Sequence, residues 1–157
     1  MTKNEFISNV ESSQKAVRRF LTALCCGDSF LADDLAQDTY MKAYLACDDF
    51  HGGKFSSWVY RIAYNTFLSH CRCAKPTESI TEAENKFGTD DADVQFRYQG
   101  LYLALDKLSE KERGAILLFY MEGYGVKEIA EITGSNLEAV RQQLSRGRQH
   151  LKALLDK

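Results

Sequence analysis

The sequence predicts an all-α protein made of two small helical domains that a flexible acidic linker joins. Apolar residues recur at intervals of three and four along most of the chain, no segment alternates as a β-strand would, and the single proline, Pro76, falls in an acidic stretch. The 157 residues suffice for one or two small domains, and 45% hydrophobic with 27% charged residues is typical of globular proteins.

The first domain, residues 1–74, is predicted to contain three helices. They cover residues 3–25, 30–46 and 56–73. Thr2 and Glu5 have capping-box spacing at the start of the first helix. Gly52 and Gly53 place a loop over residues 50–55, because adjacent glycines break a helix.

The second domain, residues 96–157, is predicted to contain four helices. They cover residues 96–107, 110–122, 126–132 and 136–154. Ser109 and Ser135 each stand three residues before a glutamate, which is capping-box spacing for the second and fourth of these helices. The linker, residues 75–95, has too few large apolar residues to fold by itself.

Positive charge is concentrated in two short segments, although the whole chain has a net charge of −2. Residues 57–75 contain three basic residues and no acid, and residues 136–152 have a net charge of +3. Residues 76–100, between them, have a net charge of −4. Phosphate binding depends on local basic patches, so both basic segments are candidate nucleic-acid contacts.

Residues 126–141 have the pattern of a helix-turn-helix unit. Gly134 permits the tight turn, and Ser135 is expected to cap the second helix. One stripe of that helix is apolar and predicted to be buried: Val140, Leu144, Gly147, Leu151 and Leu154. The outer stripes are polar and basic: Arg141, Gln142, Ser145, Arg146, Arg148, Gln149 and Lys152. Arginine and glutamine pair with guanine and adenine edges, so this face suits a major groove better than a merely solvated role.

The third helix combines aromatic rings with basic and amide side chains. Trp58, Arg61, Asn65 and Arg72 are spaced so that they share one helix face, and Phe50 and Phe55 precede them. Rings stack on unpaired bases, at about 1–3 kcal/mol per base, while basic groups hold the backbone. The face is therefore a candidate for single-stranded DNA. Burial in the core is the competing interpretation, which we adopt for Val59, Ile62, Ala63 and Phe67, whereas for Trp58 the two roles are compatible.

Acidic residues cluster within one turn of the second helix, at Asp33, Asp34 and Asp38 around Gln37. The helix dipole explains the first two, which lie near the helix start. Asp38 lies further along, and an acidic patch in a DNA-binding protein favours a basic protein partner, since DNA would repel it.

These motifs, in this order, resemble the extracytoplasmic-function sigma factors of bacterial RNA polymerase, over nearly the whole chain. Residues 33–40 are similar to the family's core-polymerase-binding helix, and residues 55–65 to its F-x-x-W-L-Y-R-I-A-x-N segment, which reads and opens the minus-ten element. Residues 105–113 and the helix-turn-helix are similar to its minus-35 reader. The resemblance implies an alternative sigma factor, not an enzyme, which works in the cytoplasm without a cofactor or a membrane anchor.

The resemblance also implies roles for individual residues. The β′ clamp helices of core polymerase would bind Asp34, Leu35, Gln37 and Asp38, and the β flap would be a further contact. Minus-ten DNA would contact Phe55, Trp58, Arg61, Asn65 and Arg72, with a flipped base at Asn65 beside the 50–55 loop. Minus-35 DNA would contact Arg141, Gln142, Ser145, Arg146 and Arg148. Promoter DNA and an anti-sigma factor are the other expected partners, and the acidic linker would follow the RNA exit path.

Three departures from the family pattern limit what can be transferred. Gln142 and Gln143 stand where Ser-Arg is common, so the minus-35 sequence cannot be inferred. Gly147 replaces the usual alanine and costs the helix about 1 kcal/mol unless close packing requires it. Asp38 replaces the commoner glutamate and has a shorter reach.

Three other functions are weighed against the sigma factor. A sigma mimic that titrates an anti-sigma factor would not need the DNA-reading residues, and a ligand-sensing repressor would not need the acidic patch or the aromatic helix. A metal enzyme or redox sensor would use Cys47, His51, His70, Cys71 and Cys73. A Cys-x-Cys pair on a helix points its thiols about 200° apart, which suits one zinc poorly, so no metal site is predicted. The five cysteines are odd in number and include no Cys-x-x-Cys pair, so they are expected to be reduced thiols.

Overall fold

The protein is all-α in its computed structural model, which describes residues 1–50, 52–73 and 92–155, with the backbone alone for 92–98. Seven α-helices follow one another in the described chain: α1 Lys3–Leu24, α2 Ser29–Ala46, α3 Phe55–Cys73, α4 Ala92–Asp106, α5 Glu110–Ile116, α6 Val126–Thr133 and α7 Leu137–Leu155. A 3-10 turn over Cys47–Asp49 follows α2, and a π-turn over Leu117–Met121 follows α5. The predicted fold class is confirmed. Residues 75–91 of the predicted linker lie outside the described residues.

Two helix ends differ from the prediction by more than one residue. α4 begins at Ala92, so the last four residues of the predicted linker are helical. The helix predicted over 110–122 is α-helical only to Ile116 and continues as the π-turn. In the described chain none of the helices is long and apolar enough to cross a membrane.

Side-chain caps fix where several helices begin. The Thr2–Glu5 capping box is formed in both directions, and Ser109 accepts from Glu112 N at 3.2 Å, as predicted. The cap of α7 was predicted wrongly. Asn136 Oδ1, rather than Ser135, accepts from the Ala139 amide at 2.7 Å, because α7 begins one residue later than predicted.

The helix-turn-helix forms around Gly134, which ends α6 in the left-handed conformation with φ 72°. Val140, Leu144 and Gly147 are buried as predicted, whereas Leu151 and Leu154, near the end of α7, are only half-buried. An added Cβ at Gly147 would lie 2.7 Å from Ile116 Cγ1. The glycine therefore permits α7 to approach α5 closely, and this close packing offsets its low helix propensity.

The predicted domains share one hydrophobic core. Buried side chains of α1, α2 and α3 form a single cluster with those of α4 to α7. The contact is closest where the Tyr64 ring of α3 meets Gly114 of α5, since a Cβ added to Gly114 would lie 2.6 Å from Tyr64 Cε1. The two parts of the chain are thus packed together, an arrangement that the sequence did not predict.

Arg113 ties the two halves together through their backbones. It is 7% exposed, and its guanidinium donates to Leu24 O of α1 at 2.7 Å. It also donates to Leu105 O at 2.9 Å and Leu108 O at 3.1 Å, at the end of α4. One buried cation therefore satisfies terminal carbonyls of two helices, where an unpaired charge would be costly.

Candidate functional site

The acidic side chains of α2 form an exposed stripe. Asp34, Gln37 and Asp38 are all exposed, as a docking surface requires. Leu35 is only 3% exposed and lies in the core, so in the free chain it positions α2, and its predicted contact with a partner stays a prediction. Asp33 is paired with Arg18, at 3.2 Å between Oδ1 and Nε.

The same stripe continues as exposed apolar surface, which the sequence analysis missed. Met41 and Leu45 follow Asp34 and Asp38 at helical spacing, and they are 66% and 77% exposed. Beside them a groove of about 560 Å³ runs between α1 and α2, with Val10, Tyr40 and Tyr44 among its walls. The sequence of α2 already indicates this exposed apolar surface, because its apolar residues are distributed around the helix and cannot all lie on one buried face.

Aromatic rings pack together at the start of α3. The Trp58 ring centroid lies 5.0 Å from that of Phe50 and 5.7 Å from that of Phe55. Phe55 also contacts Phe6 of α1, at 6.1 Å between centroids. The 50–55 loop turns through Gly52 and Gly53, both with positive φ. Phe55 and Trp58 are half-buried, so they pack against the small core among α1, α2 and α3 and still present ring surface.

The polar residues of α3 point away from this core. Arg61, Asn65 and Arg72 are exposed, whereas Val59, Ala63 and Phe67 on the other side are buried. Trp58 and Arg61 line a groove whose opposite wall is Glu131 and Ile132 of α6. The structure therefore places the predicted minus-ten residues along α3, and it brings the helix-turn-helix against Trp58 and Arg61.

The outer face of α7 carries the predicted minus-35 residues. Arg141, Gln142, Ser145, Arg146 and Arg148 are all exposed; Gln142, Ser145 and Arg146 lie on the side away from Val140 and Leu144, and Arg148 lies at the edge of the buried stripe. Arg148 Nη1 donates to the Tyr120 hydroxyl at 3.1 Å, which holds the guanidinium beside the π-turn. Such a face, basic outside and apolar inside, can enter a major groove.

Two buried tyrosines lie where the halves of the chain meet. Tyr60 Oη donates to Glu122 Oε1 at 2.5 Å. Burial raises the pKa of Tyr60, and the Glu122 carboxylate raises it further. Burial, with smaller contributions from Glu110 and Cys71, raises the pKa of Tyr64 to about 12. Both phenols therefore stay protonated and neutral at physiological pH.

The cysteines are free thiols with different surroundings. Cys25, Cys26 and Cys47 are buried, Cys71 is half-buried and Cys73 is exposed. Burial raises the pKa of both Cys25 and Cys71, which disfavours the reactive thiolate. Among the residues described, no group of three or more His, Cys, Asp and Glu side chains is placed to hold a metal. His51, one of the candidate ligands, lies outside the described residues.

Comparisons with known proteins agree over most of the chain. The family described as Sigma-70 region 2 matches residues 10–77, and Sigma-70, region 4 matches residues 98–151. The ECF RNA polymerase sigma factor SigW of Bacillus subtilis is 30% identical over 145 residues, covering 82% of this chain and 78% of SigW. SigE of Mycolicibacterium smegmatis is 30% identical over 139 residues, and the match spans 54% of its length.

A solved structure shares the fold. The sigma factor RpoE of Bartonella quintana, crystallised with the anti-sigma factor NepR, is similar with a TM-score of 0.76 and 27% identity, over 97% of each chain.

The all-α fold and the two family matches define a helical promoter-recognition protein. This chain belongs to the extracytoplasmic-function sigma factors of the sigma-70 family. As such it acts with RNA polymerase to recognise promoters and initiate transcription.

Proposed function

We propose that this sigma factor docks on core polymerase through the α2 stripe and reads one promoter with α3 and α7. The observation that carries the proposal is the outer face of α7. Five predicted DNA contacts are exposed together there, on a helix whose other side is anchored in the core. The polymerase performs the chemistry, and the sigma chain contributes binding and selection in the cytoplasm.

Docking uses charge first and apolar burial second. Asp34 and Asp38 attract a basic partner surface and set its orientation, and Gln37 supplies a hydrogen-bonding amide. Met41 and Leu45 then lose water against the partner, and this apolar burial stabilises the complex by about 25 cal/mol per Å². It is a larger favourable contribution than that of the exposed charges, which water screens. We assign this stripe to the β′ clamp helices, and a further contact of the C-terminal half to the β flap.

Minus-ten reading uses α3. Phe55 and Trp58 offer rings for stacking, Arg61 and Arg72 neutralise phosphates, and Asn65 receives a base that has left the duplex. Extrusion of a base costs a few kcal/mol, which stacking and hydrogen bonds at the protein repay in part. Reading and melting of the minus-ten element are therefore one process on this face.

Minus-35 reading uses α7. Arg141, Gln142, Ser145 and Arg146 face the base edges, and Arg148, held by Tyr120, contacts a phosphate. Each good bidentate pair to a base discriminates by about 1–3 kcal/mol. A short duplex contact of this size needs the polymerase for affinity, so the free chain binds duplex weakly and salt disrupts that binding.

An anti-sigma factor is the proposed regulator, by similarity to the B. quintana sigma factor that was crystallised with NepR. The exposed apolar residues of α2 and the groove beside them suit a helical peptide. A partner bound there would exclude polymerase, because both use the same surface.

The test is reconstitution with core polymerase from the same organism and run-off transcription from its genomic promoters. Asp38→Arg is expected to abolish the complex, whereas Glu11→Arg, the same charge change on the exposed surface of α1, keeps it. Asn65→Ala is expected to keep the complex and lose promoter opening, with Asn4→Ala on the exposed surface of α1 as the matched control. Failure of the wild-type chain to bind active core polymerase would refute the proposal.

The minus-35 assignment is tested separately. Arg146→Ala is expected to weaken promoter binding by the holoenzyme about 5- to 150-fold, the equivalent of 1–3 kcal/mol, whereas Lys111→Ala on α5 changes it little. Equal effects of the two substitutions would contradict base reading by α7.

A further inference from the structure

Lys42 is the single basic residue of α2, and its amine points at the helix that carries the minus-ten residues. Its Nζ donates to Thr66 Oγ1 of α3 at 3.2 Å. Thr66 is only 3% exposed, and its own hydroxyl donates to Ile62 O at 2.7 Å, whereas Lys42 is exposed. The contact therefore fixes the ammonium group at the surface where α2 meets α3, next to the turn that carries Asn65.

The protein does not neutralise the charge of Lys42. Its hydrogen-bond partner is a neutral hydroxyl, and no carboxylate among the described residues forms an ion pair with it. The sequence of α3, from Phe55 to Cys73, contains no acidic residue. The exposed carboxylates of α2, Asp34 and Asp38, lie on the stripe assigned to polymerase. An exposed cation that is held in place and has no counterion attracts an anion from outside the chain.

Cations stand on both sides of Asn65. At 3.6 residues per turn, each residue advances about 100° around the helix axis. Arg61 and Arg72 then lie about 20–40° from Asn65 on one side. Thr66, which holds Lys42, lies about 100° from Asn65 on the other side. A DNA strand that crosses α3 at Asn65 therefore passes from two guanidinium groups to one ammonium group.

We propose that Lys42 binds the DNA phosphate on the α2 side of the base that enters at Asn65. Arg61 and Arg72 hold the backbone on the other side. A base leaves the stack by rotation of its nucleotide about the backbone, so cations on both sides hold the strand while the base turns. An ammonium group suits this position, because it neutralises a phosphate as a point charge and reads no base. The inference rests on the proposed function and adds a DNA contact from the helix that docks on polymerase.

A purely structural role for Lys42 is the competing explanation. A lysine that only joined α2 to α3 would leave the salt dependence of DNA binding unchanged. A phosphate contact alters that dependence, because each neutralised phosphate releases counterions. For a single strand it adds about 0.7 to the slope of log K against log salt concentration. The slope therefore distinguishes the two roles.

The first test measures this slope for the holoenzyme on a fork made from a promoter that it transcribes, with the minus-ten segment single-stranded on the non-template strand. Lys42→Met keeps the aliphatic stem and removes the charge. It should lower the magnitude of the slope by about 0.7, which is about a fivefold loss of affinity over a tenfold decrease in salt. Lys42→Arg should keep the wild-type slope, and so should Lys15→Met, the matched control on the exposed surface of α1. A wild-type slope in Lys42→Met would overturn the proposal.

The second test locates the phosphate. A neutral methylphosphonate replaces each phosphate of the single-stranded segment in turn. One of these replacements should weaken binding by the wild-type holoenzyme and have little further effect with Lys42→Met, because the cation that it would face is already absent. Arg61→Met should mask a replacement at a different position. If Lys42→Met masks none of the replacements, Lys42 contacts no phosphate in this segment.

The role of Thr66 as the anchor is tested by a double-mutant cycle. Thr66→Val removes the hydroxyl that holds the amine of Lys42. It should weaken binding to the fork in the otherwise wild-type holoenzyme and have no further effect in Lys42→Met. Equal effects in both backgrounds would show that Thr66 does not position Lys42.

The outcomes separate this inference from the proposed function. Weaker binding to the fork in Asn65→Ala, with no effect of Lys42→Met, would refute the phosphate contact and leave the minus-ten assignment standing. Failure of the wild-type holoenzyme to bind the fork would refute the minus-ten assignment itself, and this inference with it.

Discussion

Gly147 is the residue at which close packing outweighs helix propensity. Alanine at this position would gain about 1 kcal/mol of helix propensity. Its Cβ would also lie 2.7 Å from Ile116 Cγ1, an atom in the middle of a buried β-branched side chain that cannot turn aside. Overpacking of this kind costs about 1–3 kcal/mol, so the close contact outweighs the gain in helix propensity and alanine destabilises the fold.

Gly147→Ala is therefore expected to lower the free energy of unfolding by about 1 kcal/mol, measured by urea denaturation. In an Ile116→Ala background the same substitution should instead stabilise the chain, because the added methyl enters the space that Ile116 vacates. Stabilisation by Gly147→Ala in the otherwise wild-type chain would contradict the packing argument.

The start of α7 depends on a single side-chain cap. Asn136 Oδ1 accepts from Ala139 N at 2.7 Å, while Ser135 uses its backbone N–H, which donates to Ala130 O at 3.1 Å. The capped turn leads directly into Arg141 and Gln142, so the cap also positions the proposed DNA contacts.

Asn136→Ala should cost about 1 kcal/mol of stability and weaken minus-35 binding by the holoenzyme, since the first turn of α7 would fray. Ser135→Ala is the matched control and should change neither, because alanine retains the backbone hydrogen bond. Urea unfolding and promoter binding of both variants give the comparison. A larger loss of stability in Ser135→Ala than in Asn136→Ala would show that Ser135 caps α7, as the sequence predicted.

The whole molecule is one packed unit, and its buried tyrosines make its stability depend on alkaline pH. Tyr64 has its pKa raised from 10.0 to about 12, so the unfolded chain loses this proton at a lower pH than the folded one. The contribution is fully present below pH about 10 and is lost as the pH rises to about 12.

The free energy of unfolding should therefore fall by roughly 2–3 kcal/mol across this range on account of Tyr64, at about 1.4 kcal/mol per pKa unit. Urea unfolding of the wild-type chain at several pH values measures the slope. Tyr64→Phe should reduce it, and Tyr44→Phe, which alters an exposed ring, should leave it unchanged. An equal slope in the wild type and Tyr64→Phe would show that Tyr64 is not responsible.

Local sequence patterns determined the helices, their caps and most of their buried and exposed faces. The Thr2 and Ser109 caps, the turn at Gly134 and the buried stripe through Val140 and Leu144 follow from interactions within a few residues, which periodicity and capping rules describe. The family could be identified from the same motifs.

Tertiary structure alone decided how the two halves meet. Arg113 and Leu24, 89 residues apart, are joined by a hydrogen bond, and Tyr64 meets Gly114 across the same junction. It also showed that Leu35 is buried while Met41 and Leu45 are exposed. Periodicity describes one helix at a time, whereas these facts depend on which helix lies against which face, and only the packed chain determines that.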